Sequence, residues 1–201
     1  MTRIAAVDGG TYFHHHTLCE EPFAGCFDDI IYIRDVAFTD LSPYDVVFLP
    51  CRLNTHQIAP LADQLTHYMT GGGTLVVMGE TFPERWLKDI DFTPCETNFW
   101  WWVEGLPGPA PRIARPEHPL MADVTAKDCI WHLHGHFHPK GPQVPVIEDD
   151  EGALLIEDAE TYAPGRLIAT TLDPCYHHGS HFMPATTAFL KRFLPALRKL
   201  G

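Results

Sequence analysis

Short apolar runs bounded by turn residues recur along the chain and read as strands, several of them continuous enough to suit a sheet covered on both faces. They are "RIAAVDGG" (residues 3–10), "DDIIYIRD" (28–35), "YDVVFLP" (44–50), "TLVVMGE" (74–80) and "GRLIATTLDP" (165–174). Between the third and fourth lies "THQIAPLADQLTHYMTGGG", in which Ile58, Leu61, Leu65 and Met69 recur at helical spacing. Thr55 suits its N-cap and Gly71 its C-cap. Strand, helix, glycine link and strand make a parallel crossover unit. The helix expected between the first two strands is poorly marked. Further on, "CIWHLHGHFHP", "VPVIED" and "GALLIED" read as successive strands, and "PATTAFLKRFLPALRKL" as an amphipathic terminal helix that opens at Pro184 and is open to bending at Pro195.

The pattern lapses from Asn98 to Met121, where "NFWWWVEGLPGPAPRIARPEHPLM" is rich in tryptophan, proline and glycine. We read it as an excursion, part of an insertion over about residues 95–150 of one domain spanning 1–201. At 201 residues and 45% hydrophobic content the chain can bury one sizeable core. A net charge of −12, with no compensating basic stripe, argues against nucleic acid and anionic membrane surfaces as partners. The apolar start is too short for a signal peptide and no run reaches membrane-spanning length, so the cytoplasm is the expected location. The six cysteines are scattered, without a C-x-x-C pair, so neither a zinc ribbon nor a disulfide framework is expected.

Chemistry concentrates in the histidines. In "IWHLHGHFHP" an extended backbone would set His132, His134, His136 and His138 on one face, with Trp131, Leu133 and Phe137 on the other. One strand can offer only two neighbouring imidazoles to a single ion, so a metal site needs ligands from other segments.

"YDVVFLPC…HQIAPLADQLTHYMTGGGTLVVMGE", with "RPEHPLMADVTAKDCIW" and "GRLIATTLDP" after it, resembles the class I glutamine amidotransferase-like superfamily, especially its trehalose-utilisation-like branch. The resemblance implies an α/β fold with a mostly parallel central sheet and helices on both faces, flavodoxin-like in layout. Amidotransferases of this fold carry G-x-C-x-G at the turn after the "GGG" strand and His-Pro-Glu after the closing strand. Here the turn reads "MGETFPE", placing Glu80 at the nucleophile position, and "LDPCY" places Asp173 where the histidine would be. Thiolate attack needs a cysteine paired with a base, so glutaminase activity is not expected.

Ligands of open α/β sheets bind beyond the carboxyl ends of the strands. That rule gathers Asp8, His14, His15 and His16, then Cys51, Glu80, Asp173, and "YHHGSH" with Tyr176, His177, His178 and His181. Glu80, Asp173 and Cys51 are the catalytic candidates, although a small cysteine such as Cys51 is more often buried packing. Asp8, His14, His15, His134, Tyr176 and His178 are candidate ligand-binding residues. His16, His136, His177 and His181 are candidate ligands for zinc or another divalent transition metal. The expected function is binding of a small polar, sugar-derived molecule, with metal-assisted hydrolysis if chemistry is retained. The alternative is a non-catalytic module in which Trp100, Trp101 and Trp102 pack across a homodimer interface.

Overall fold

The computed structural model describes residues 1–96 and 99–201. The excursion read from Asn98 therefore begins outside the described residues. In chain order, β1 (Ile4–Asp8) leads to α1 (Tyr12–Cys19), β2 (Asp29–Tyr32) and β3 (Val46–Leu49). Helices α2 (Thr55–Ile58) and α3 (Ala62–Thr70) precede β4 (Thr74–Val77) and β5 (Phe92–Pro94). Then come α4 (Trp101–Glu104), β6 (Arg112–Ile113), β7 (Gly135–Phe137), β8 (Val144–Glu148), β9 (Ala153–Asp158) and β10 (Arg166–Thr170). Two helices close the chain, α5 (Pro174–Gly179) and α6 (Pro184–Ala196).

One ten-stranded sheet runs through the molecule in the order β2-β1-β3-β4-β10-β9-β7-β5, with β8 against β9 and β6 against β8. The segment from β2 to β10 is parallel, and the pairings beyond it are antiparallel. Within residues 95–150, β7 and β8 pair with β9 and so extend the main sheet.

Alternation along the parallel strands divides the core. Ile4, Ala6, Val46, Phe48, Val76 and Ile168 face Phe189, Phe193 and Leu194 of α6 and Leu18 of α1. Ala5, Val7, Val47, Leu49, Leu75 and Val77 face Ile58 of α2 and Leu65 and Met69 of α3. Both faces are covered, as the continuous apolar runs require. The single helix expected over 55–70 is divided by a 3-10 turn at Ala59–Leu61, because Pro60 has no N–H to donate.

The poorly marked helix expected between the first two strands is present: the Thr11 hydroxyl accepts from the His14 N–H at 3.4 Å and starts α1, so the histidine triplet lies on a helix. One sequence expectation is corrected, since the alternating histidines are not one strand. β7 spans only Gly135–Phe137, and His132 and His134 lie in the irregular approach to it.

Candidate metal centre

β3, β4 and β10 are sheet neighbours, and their backbones stay joined beyond the strand ends. The Arg52 N–H donates to the Gly79 carbonyl at 3.1 Å, and the Gly79 N–H to that of Leu172 at 2.8 Å. Arg52, Glu80 and Asp173 therefore arrive side by side. Glu80 adopts φ 56° and Arg52 φ 62°, left-handed conformations that cost energy for residues with a Cβ. Gly79 allows the close approach, since a Cβ there would meet the Thr171 carbonyl oxygen at 2.2 Å. Gly79→Ala is expected to destabilise the fold by on the order of 1–3 kcal/mol through this overpacking, read as a lower denaturation midpoint at unchanged slope.

Asp173 immediately precedes α5, and His177 follows four residues later on the same helical face. His177 Nε2 lies 3.1 Å from Asp173 Oδ2 and 3.1 Å from His132 Nε2. His134 Nε2 is 3.4 Å from Asp173 Oδ2 but is not aligned for a hydrogen bond. One atom from each of these four side chains falls within 4.8 Å of the others. Asp173 is fully buried, and His132 and His177 are nearly so. Between the two facing Nε2 atoms only one proton fits, so at least one lone pair points into the cluster. Three imidazoles and a carboxylate converging in this way suit a zinc-like ion, which could take a substrate oxygen as well if its coordination expanded beyond the protein ligands.

Charge points the same way. Asp173 and Glu80 bring two carboxylates, and Arg52 faces both, at 3.2 Å and 2.5 Å, as His134 does at 3.4 Å and 3.6 Å. The guanidinium stacks 3.6 Å over the Tyr176 ring. Burial pushes His132 down to about 4, reinforced by His177 and His134 and opposed by Asp173, so this imidazole is neutral and free to ligate. Burial also works against charge on His134, but Asp173 and Glu80 outweigh it and raise the pKa. Burial alone would raise Asp173; His134 and His177 hold it well below the usual carboxylate range. The site favours added positive charge, from a proton on His134 or from a metal.

Of the expected site residues, the structure gathers Glu80, Asp173, His134, His177 and Tyr176. The others lie elsewhere. His14 is buried, with Nε2 2.8 Å from the Cys51 carbonyl, and braces the loop that carries Arg52. Asp8 accepts from the Gly10 N–H in a local turn, and His15 is exposed. His136, expected as a ligand, pairs instead with Asp149 at 2.9 Å. His16 and His181, also expected as ligands, form a separate group with His178: His16 stacks on His178 and bonds to Glu20, His181 contacts the Tyr12 hydroxyl, and His178 contacts that of Thr187. Successive helical residues point about 100° apart, so α5 sends His177 to the cluster and His178 away. His132 and Arg52 were not singled out by sequence. For His132 the two-imidazole limit on an H-x-H step was the available signal; for Arg52 there was none beyond its place after β3.

Cys51 does not suit a nucleophile. It is completely buried, its Sγ accepts from the Tyr176 N–H at 3.1 Å, and burial pushes the thiol well up. Iodoacetamide is expected to label exposed Cys19 while Cys51 stays unmodified in the folded protein, as peptide mass spectrometry would show.

No family model and no curated protein sequence matches the chain. Solved structures do. A cytoplasmic protein from Salmonella typhimurium superposes with a TM-score of 0.59 at 13% identity, over 98% of this chain and 97% of that one. A second cytoplasmic protein from Salmonella typhimurium LT2 gives 0.58 at 14%, over 96% and 98%. A Thermoplasma acidophilum protein, provisionally described as part of a GMP synthase, gives 0.59 at 10%, over 99% and 95%. The fold is the α/β glutamine amidotransferase-like one.

Proposed function

We propose that the protein is a metal-dependent hydrolase, with His132, His134, Asp173 and His177 holding a divalent transition metal, zinc by preference of the ligand set. The observation that carries this reading is the convergence of four ligand atoms within 4.8 Å at a largely buried point beyond the sheet's carboxyl edge. When bound, the ion would supply a Lewis acid that polarises a carbonyl. Glu80 flanks the cluster, its Oε1 3.6 Å from His134 Nδ1 on the ring edge turned away from Asp173. There Glu80 takes a proton from water as the water oxygen bonds to the carbonyl carbon. It returns that proton to the leaving oxygen or nitrogen as the bond to carbon breaks. Arg52 orients the Glu80 carboxylate, and Tyr176 seats Arg52. A cavity of about 450 Å³ opens beside Glu80 and His134, its walls shared between Arg85 and Thr171 and the apolar side chains of Phe82, Phe92 and Phe137. Its polar groups, gathered at the Glu80 end, suit the polar part of a small substrate.

The sequence motifs support a place in the trehalose-utilisation-like branch, and with it a sugar-derived polar group and a cytoplasmic setting. Among the described residues no helix is long and apolar enough to cross a membrane. A second reading, a non-catalytic module assembled as a homodimer, draws support from the exposure of Trp100, Trp102, Val103 and Leu106, close together in sequence.

The test is metal content by inductively coupled plasma mass spectrometry on untagged protein purified without nickel resin. About one zinc, manganese or iron per chain is expected. Metal-free protein that stays empty after titration with zinc and manganese would remove the hydrolase reading and leave the assembly module.

A further inference from the structure

A second cavity, of about 460 Å³, adjoins the cluster through His132 and does not include Glu80 in its lining. The Trp131 indole N–H lies 3.4 Å from Asp173 Oδ1, and its ring forms part of the cleft. The rest of the lining is apolar, chiefly Phe99, Trp101, Trp102, Phe182 and Met183. Two of these rings rest directly on ligand imidazoles, Phe99 on His132 at 4.6 Å and Phe182 on His177 at 4.7 Å between centroids. Trp101 is seated against Gly108, where a Cβ would come within 2.6 Å of the indole. The cavity by Glu80 and this aromatic one thus adjoin different members of one set of ligands, His134 and His132.

We infer that this cleft is the subsite for a flat aromatic group of the substrate, joined to the bond that is hydrolysed at the metal centre. The inference rests on the metal-dependent reading above. The volume accommodates one or two fused rings. Indole and phenyl walls favour an aryl group through edge-to-face and offset-stacked contacts. A sugar in the same place would leave its hydroxyls facing walls in which His132 is the main polar side chain, an unfavourable desolvation. The substrate class is therefore an aryl or arylacyl ester or amide whose polar part lies by Glu80.

Two chelators separate this inference from the reading it rests on. Acetohydroxamate and benzohydroxamate carry the same metal-binding group and differ in the ring. Isothermal titration of the metal-free protein with zinc comes first, and binding of one equivalent is expected. The zinc-loaded protein is then expected to bind benzohydroxamate at least about tenfold more tightly than acetohydroxamate, the return on burying a phenyl ring among aromatic side chains. Trp102 is 65% exposed, so its truncation spares the core. In Trp102→Ala the preference should fall while acetohydroxamate affinity stays the same. Equal affinities in the zinc-loaded parent, or a preference that survives the substitution undiminished, would overturn the aryl subsite and leave the metal centre standing. No zinc binding would overturn both. A concentration-dependent dimer that Trp102→Ala disperses, without any aryl preference, would assign the face to a second copy and overturn the subsite.

Discussion

Replacing His134 by alanine is expected to leave the protein folded with a much weakened hold on zinc. His134 is the least buried member of the cluster, and its Nε2 has no aligned hydrogen bond whose loss would strand a partner. Its removal leaves three ligands and an open edge. The expected loss of zinc affinity exceeds the roughly 10–100-fold typical of residues that merely support a ligand. Competition against a chromophoric chelator would measure it, with near-ultraviolet circular dichroism as the control for fold. Thermal unfolding gives a second readout. A ligand at about a hundredfold over its dissociation constant stabilises the native state by about 2.7 kcal/mol, or roughly 5–10 °C for a chain of this size. The parent should show that rise on zinc addition and His134→Ala should not. Zinc affinity should also weaken as pH falls through the histidine range, because protons compete for the same nitrogen lone pairs. An unchanged zinc titration in His134→Ala would remove this residue from the centre.

Glu80→Gln is the second large effect. The substitution keeps the shape and removes the group that accepts a proton, so hydrolysis of an activated aryl ester should fall by about 10²–10⁴-fold while zinc remains at one equivalent. The pair of readouts separates a base from a ligand: loss of both activity and zinc would make Glu80 a ligand, and retention of both would place it outside the chemistry. Glu80 is held at φ 56° on a turn packed against the backbone after β10, and strain of this kind accumulates at functional sites. Glutamine tolerates the same backbone no worse, so the fold should persist.

Much of the frame was readable from local pattern. The apolar runs at 4–7, 46–49, 75–77 and 167–169 lie in strands, because a segment buried on both faces must be apolar along its length. The carboxyl-edge rule placed Glu80 and Asp173 together before any distance was known. Local pattern was least informative where it is ambiguous. "TYFHHHT" has no helical apolar period, so the helix expected there was poorly marked, yet it forms α1 because Thr11 caps it and His14, Thr17 and Leu18 are buried against the fold. His132 to His138 alternate as a strand would, but their partners differ: His132 meets His177, His134 faces Asp173, His136 pairs with Asp149 and His138 with Thr93.

The amino-acid order was enough to specify a layered α/β chain, acidic and rich in histidine, without the cysteine and histidine of an amidotransferase, because composition, period and motif are properties of neighbouring residues. Selecting His132, His134 and His177 from thirteen histidines required the folded chain. So did finding Arg52 between two carboxylates 28 and 121 residues away in sequence. Convergence of that kind is set by which strands lie side by side and how far each loop turns, and no local spacing encodes it.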